Sequence, residues 1–112
     1  MTSPPLLPSE LALLIRVFER HPEVSEVKLF GSRAKGTHQI HSDIDLSLGG
    51  QVDELRAEAI AAELDELPLP YHFDVIPFAQ IESPSLREHI GRVGLTLYVR
   101  AVSRETQTAP TL

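Results

Sequence analysis

The sequence predicts an α/β (α+β) domain in which helices flank a small mixed β-sheet of three strands or slightly more. Two observations carry this prediction. Along the 112 residues, apolar positions switch repeatedly between the i, i+3, i+4 spacing of a helix and the alternation of a strand, and Pro or Gly falls at most of the switches. The order that results is helix, strand, short helix, strand, helix, strand, helix. No internal repeat or low-complexity tract points to a solenoid or fibre.

Residues 1–8 contain three of the nine prolines and residues 101–112 are mostly small, polar or charged, so both are expected to be tails around a domain spanning 9–100. Ser9 is the expected N-cap of the first helix, whose face is Leu11, Leu14, Ile15 and Phe18, and Pro22 marks its end. Val24 to Phe30 alternates loosely with Val27 and Leu29 on one side, which suits a strand stopping at Gly31. A loop or short helix is expected next. From Asp43 to Leu48 the alternation is strict, with Ile44, Leu46 and Leu48 facing one way and Asp43, Asp45 and Ser47 the other.

Gly49 and Gly50 end that strand. Gln51 to Leu67 is rich in Ala, Leu and Glu, and Val52, Leu55, Ala59, Ile60 and Leu64 form the expected helical face, closed by Pro68 and Pro70. Tyr71 to Phe78 reads as the third strand. The last helix is expected to start at Ser83–Pro84, to turn Leu86, Ile90 and Val93 inward, and to stop at Gly94.

Composition excludes whole classes of function. With no cysteine there is no disulfide scaffold, thiolate zinc site, redox dithiol or cysteine nucleophile. Sixteen Asp plus Glu against ten Lys plus Arg give a net charge of −6, which argues against a phosphate-backbone binder, so no direct nucleic-acid partner is expected. No targeting segment is read at the N-terminus, and the apolar run Leu11 to Ile15 is too short to span a bilayer, so no membrane association and a cytoplasmic location are expected.

The chemistry is concentrated between Leu29 and Leu48. Asp43 and Asp45 share a strand face about 7 Å apart, from a rise of about 3.3–3.4 Å per residue. Lining a pocket, two such charges need a cation, and an oxygen donor set suits Mg²⁺ or Mn²⁺. Asp74 stands on the third strand with Phe73 and Val75 pointing opposite to it. If the second and third strands pair, three carboxylates converge, and with substrate phosphates they can hold the two metal ions used for in-line phosphoryl or nucleotidyl transfer. Taken one at a time, each Asp is also an ordinary residue of a solvated sheet face.

Gly31 followed by Ser32 at a helix start offers backbone N–H groups and a hydroxyl to a phosphate, while the plain alternative is a glycine turn with a serine N-cap. Gly31 and Gly36 have the spacing of the GxxxxGK[ST] loop, but Thr37 stands where its lysine belongs, which argues against a P-loop enzyme. His38 and His41 near Asp43 lack the third ligand of a catalytic zinc site and read as a solvated loop. Arg33 and Lys35 have the charge to neutralise a triphosphate.

Gly31–Ser32–Arg33–Ala34–Lys35–Gly36, then Ser42–Asp43–Ile44–Asp45–Leu46, then Asp74, resembles the minimal nucleotidyltransferase (MNT) family of the DNA polymerase β-like nucleotidyltransferase superfamily. The pattern covers about residues 27–76, with Lys35 where that family often has Arg. The resemblance implies the nucleotidyltransferase fold. It implies Asp43, Asp45 and Asp74 as catalytic residues and ligands of two Mg²⁺ ions, Gly31, Ser32 and Arg33 at the nucleotide phosphates, and ATP as substrate. Asp74 is implied to help deprotonate the acceptor hydroxyl. Family members of this size often act as antitoxins that transfer AMP to a tyrosine of a HEPN toxin, so the resemblance implies a HEPN-type partner here.

A catalytically silent antitoxin that occludes its partner is the alternative from a different class. A stand-alone enzyme modifying a small molecule such as an aminoglycoside is the third. Because the catalytic core is expected to use up the chain, the acceptor is expected from another polypeptide. Tyr71 and Tyr98 lie in apolar segments and read as core or interface residues.

Overall fold

The computed structural model describes residues 6–31 and 43–100. Helix α1 (Pro8–Glu19) leads into strand β1 (Val24–Phe30), and strand β2 (Ile44–Gly50) is followed by helix α2 (Glu54–Asp65) and strand β3 (Phe73–Pro77). A single 3₁₀ turn at Phe78–Gln80, helix α3 (Pro84–Val93) and strand β4 (Leu95–Val99) complete the order.

The four strands form one mixed sheet in the order β3-β2-β1-β4. β1 runs antiparallel to both β2 and β4, and β2 and β3 are parallel. A parallel pair needs a crossover, and α2 supplies it, packing on β3 as it returns. Val27 and Leu29 of β1, Ile44, Leu46 and Leu48 of β2 and Phe73 of β3 all face this side. There they bury against Leu14, Val17 and Phe18 of α1 and Ala57, Ile60 and Leu64 of α2. Val24 joins the same core although it stands three residues before Val27, because the β1–β2 register shifts between Val24 and Glu26. α3 lies against the opposite face beside β1, and Ile90 is buried there outside the main core.

Several boundaries depart from the sequence-based expectation, each for a local reason. The first helix begins at Pro8 rather than after Ser9: Leu7 is the N-cap, Pro8 occupies the first turn, and the Glu10 carboxylate accepts the Leu7 N–H at 2.9 Å. Pro8 gives up nothing there, because an N–H at that position has no helical partner.

The second long helix starts at Glu54, with the Asp53 carboxylate accepting the Arg56 N–H at 2.8 Å. That phase buries Ala57, Ile60 and Leu64, while Leu55, 73% exposed, and Ala59, both of the expected face, turn to solvent. The third strand is Phe73–Pro77, shorter than expected because the chain turns at Phe78. Strand β4 is unassigned in the expected order, although a sheet slightly larger than three strands admits it; the last helix begins after Ser83 and stops at Gly94, and the chain then pairs with β1. The loop or short helix expected after Gly31 lies outside the described residues, as do His38 and His41. Among the described residues no helix is long and apolar enough to cross a membrane.

Candidate active site

The parallel register of β2 and β3 sets the site. It pairs Asp45 with Asp74 directly, flanked by the pairs Ile44–Phe73 and Leu46–Val75. Neighbouring strands stand about 4.8 Å apart and alternate side chains share a face, so the two carboxylates project side by side from the sheet face opposite the main core. The Ile44 N–H donates to the His72 carbonyl at 2.9 Å and fixes this register where the carboxylates stand. Asp43 precedes β2 by one residue, one pleat from Asp45 at the same end of the sheet. The topology thus pairs Asp45 with Asp74 and leaves Asp43 at the same end of the sheet.

Gly31 completes this end from β1. Phe30 is the cross-strand partner of Asp45, and Gly31, with φ at +80°, turns the chain immediately beyond it. A Cβ at Gly31 would be driven into Oδ2 of Asp45. Two requirements therefore coincide at one residue, a left-handed backbone and room for a carboxylate against it. Ser32 and Arg33, the other two expected phosphate-binding residues, lie outside the described residues.

The electrostatics follow from the crowding. Partial burial pushes the Asp45 carboxyl above the usual carboxylate range, and the charges of Asp74 and Asp43 push it further the same way. Asp43 and Asp74 are exposed. His72 reaches toward the site, with Nε2 3.9 Å from Oδ1 of Asp74.

A site that gathers negative charge on an incompletely solvated carboxylate has the donor chemistry for a hard divalent cation. Among the described residues no group of three or more His, Asp or Glu side chains is drawn close enough to hold a metal ion alone.

The sequence reading missed the continuation of this face. Ser47, two residues beyond Asp45, and Lys28, its partner on β1, extend the same side of the sheet away from the carboxylates. The period of two already assigned Ser47 to this face. Lys28 required the antiparallel register, which no local pattern encodes.

With this geometry in hand, comparison with known proteins is decisive. The family model for polymerase beta nucleotidyltransferases matches residues 13–102. The chain belongs to that family. It is therefore a nucleotidyltransferase, and its fold is the one the resemblance implied.

Among solved structures, this nucleotidyltransferase domain is similar to a toxin–antitoxin crystallised with AMP-PNP, at 21% identity and a TM-score of 0.68, covering 86% of this chain and 78% of the other. It is similar to a complex of a tri-AMPylated HEPN toxin and an MNT antitoxin from Shewanella oneidensis, at 18% identity and a TM-score of 0.62, covering 88% and 76%. A nucleotidyltransferase-like protein from Sulfolobus solfataricus aligns at 17% identity with a TM-score of 0.52, over 80% and 77% of the two chains. At these identities the likeness is one of fold. No curated protein sequence matches significantly.

Proposed function

We propose that this domain is a Mg²⁺-dependent adenylyltransferase that moves AMP from ATP to a tyrosine hydroxyl of a HEPN-type toxin, and so acts as its antitoxin. The observation that carries the reading is the paired register of Asp45 and Asp74, with Asp43 one pleat away and Gly31 cleared of any side chain beside them. That arrangement is what in-line transfer of a nucleotidyl group requires of a protein: fixed negative charge to hold a cation and a bare backbone turn where phosphate can approach.

In the reaction the acceptor oxygen forms a bond to the α-phosphorus and the bond from that phosphorus to the bridging oxygen breaks. Pyrophosphate leaves, and the hydroxyl proton passes to Asp74, the exposed member of the pair. Asp43, Asp45 and Asp74 would hold Mg²⁺, two ions in the fullest form, whose chemistry is to neutralise the triphosphate and acidify the attacking hydroxyl. Gly31, Ser32 and Arg33 receive the terminal phosphates. The protein's share is alignment and electrostatic complementarity.

The partner class is supported by the neighbouring folds, which include a toxin–antitoxin solved with AMP-PNP and an MNT antitoxin in complex with a tri-AMPylated HEPN toxin. An acceptor on a second chain also suits the exposed carboxylates of Asp43 and Asp74.

The test is to incubate the chain with α-labelled ATP, Mg²⁺ and a co-encoded HEPN-type protein. Label is expected on a tyrosine of that protein with the wild type and not with Asp43→Asn/Asp45→Asn. Equal transfer by the double variant, or none by the wild type, overturns the reading. Neutralisation of the toxin by the double variant in cells would instead favour occlusion.

A further inference from the structure

A cavity of about 170 Å³ opens between the carboxylate-bearing face of the sheet and α3, lined by Glu26, Lys28, Ser47, Gly49, Phe78 and Gly91. We propose that it receives the base of the nucleoside triphosphate whose phosphates lie at Asp43, Asp45 and Asp74. This rests on the nucleotidyltransfer reading above and adds to it the place where the base is held.

Position is the first argument. Ser47 and Gly49 lie two and four residues beyond Asp45 on the same face of β2, about 7 and 13 Å along the strand at the usual rise. That is the scale of a ribose and base extending from an α-phosphate at Asp45. Size is the second. The cavity is smaller than the roughly 300–1,000 Å³ of a pocket that swallows a whole ligand, and suits one ring system entering from a nucleotide held elsewhere.

The third argument is Gly91. It lies inside α3, where glycine weakens a helix, and its φ is not in the left-handed region. Among the described residues a Cβ built there meets no atom within 4 Å, so no packing among them explains the glycine. What its missing side chain does is leave this wall of the cavity bare.

The remaining walls suit a flat heterocycle. Phe78 offers an aromatic surface, and its ring is held by Arg87, whose guanidinium stands 4.5 Å from the ring centroid and donates to the Ile81 carbonyl at 3.0 Å. Lys28 Nζ and the Glu26 carboxylate, 3.9 Å apart, supply one donor and one acceptor for the edge of a base.

The experiment fills the cavity from opposite walls, with Gly91→Leu on the helix and Ser47→Leu on the strand. Calorimetric titrations with Mg-ATP and with Mg-tripolyphosphate compare binding with and without a base, and thermal unfolding verifies the fold. Each variant is expected to weaken ATP roughly tenfold or more, the order of one lost base contact, and to leave tripolyphosphate unchanged. Unchanged ATP binding in a folded variant, or equal weakening of both probes, overturns the proposal while leaving the transfer reading intact. Wild-type protein that binds neither probe overturns both. Should one variant fail to fold, the other decides.

Discussion

Gly31 and Asp45 are fitted against each other: the turn ending β1 has φ at +80°, and the space a side chain would take there is filled by the Asp45 carboxylate. Gly31→Ala therefore meets two penalties. An L-residue in the left-handed region costs about 1–2 kcal/mol, and relieving the overlap moves Asp45 away from its register with Asp74. The expected outcome is a fall in melting temperature of several degrees, at about 4–8 °C per kcal/mol for a domain of this size, and transfer reduced by on the order of a hundredfold. Differential scanning fluorimetry and the labelled-ATP assay check the two parts separately. A variant that loses stability but transfers normally would separate Gly31 from the chemistry.

Asp45 also makes a prediction about stability in which the sign is opposite to that of most carboxylates. Burial and the neighbouring Asp74 and Asp43 raise its folded pKa above the unfolded value of 3.8. The folded state then binds more protons than the unfolded state between the two values, so stability falls as pH rises through that window, and the deficit persists above it. Asp45→Asn removes the deficit. It is expected to melt higher than wild type at neutral pH, with the gap closing as pH falls below 4, while losing nucleotidyl transfer by on the order of a hundredfold or more. Melting curves across acid and neutral pH test this, and a variant less stable at neutral pH contradicts it. Mg²⁺ with ATP should raise the melting temperature of wild type and not of Asp45→Asn, since a ligand stabilises only the state that binds it.

What the sequence discloses about this site is governed by the range of the interactions involved. Asp43 and Asp45 are legible because strand periodicity is local: two residues apart means one face. Asp74 is legible only as an oddity beside Phe73 and Val75, since its pairing with Asp45 depends on a parallel register spanning a crossover helix. β4 escaped for a similar reason. Leu95 and Val99 are exposed on an edge strand, so the five residues lack a clean alternation, and only non-local pairing with β1 orders them. The phase of α2 was misread because Leu55 resembles a core residue, yet the Asp53 cap places it in the first turn facing solvent. The cavity beside α3 is invisible to pattern reading, because it arises from where Gly91 and Phe78 meet the far side of the sheet.

Arg100 fastens the end of β4 to the end of α1. Its Nε donates to the Val24 carbonyl at 3.1 Å, and Nη2 reaches the carbonyls of His21 at 3.1 Å and of Phe18 and Glu19 at 3.5 Å. The Phe18, Glu19 and His21 carbonyls lie at the C-terminal end of α1, where a cation meets the negative end of the helix dipole. Arg100→Ala is expected to cost about 1–2 kcal/mol. Arg100→Lys should recover only part of the loss, because an ammonium cannot span several carbonyls as the planar guanidinium does. Urea unfolding of the three proteins is the check, and equal stability of Arg100→Lys and wild type would mean that charge alone matters.

Glu63 supplies the opposite pH behaviour to Asp45. Burial pushes its pKa up, but hydrogen bonds from Arg20 and His21, reinforced by their charge, outweigh burial and hold it below the ordinary value of 4.5. Arg20 Nη2 and His21 Nε2 each stand 2.8 Å from one of its oxygens, so the carboxylate joins the end of α1 to α2, and His21 is only 5% exposed. A lowered folded pKa means that this contribution is complete above the unfolded value and is lost as pH falls through the folded one. Glu63→Gln keeps an acceptor for one donor but not the charge. It is expected to be less stable than wild type at pH 6–8 by about 1 kcal/mol, with the difference shrinking on acidification until the curves meet in strong acid. Because the pair lies on the core side of the sheet, away from Asp43, Asp45 and Asp74, transfer per folded molecule should be unchanged. Melting temperature followed against pH distinguishes this from simple loss of packing, which would lower stability equally at every pH.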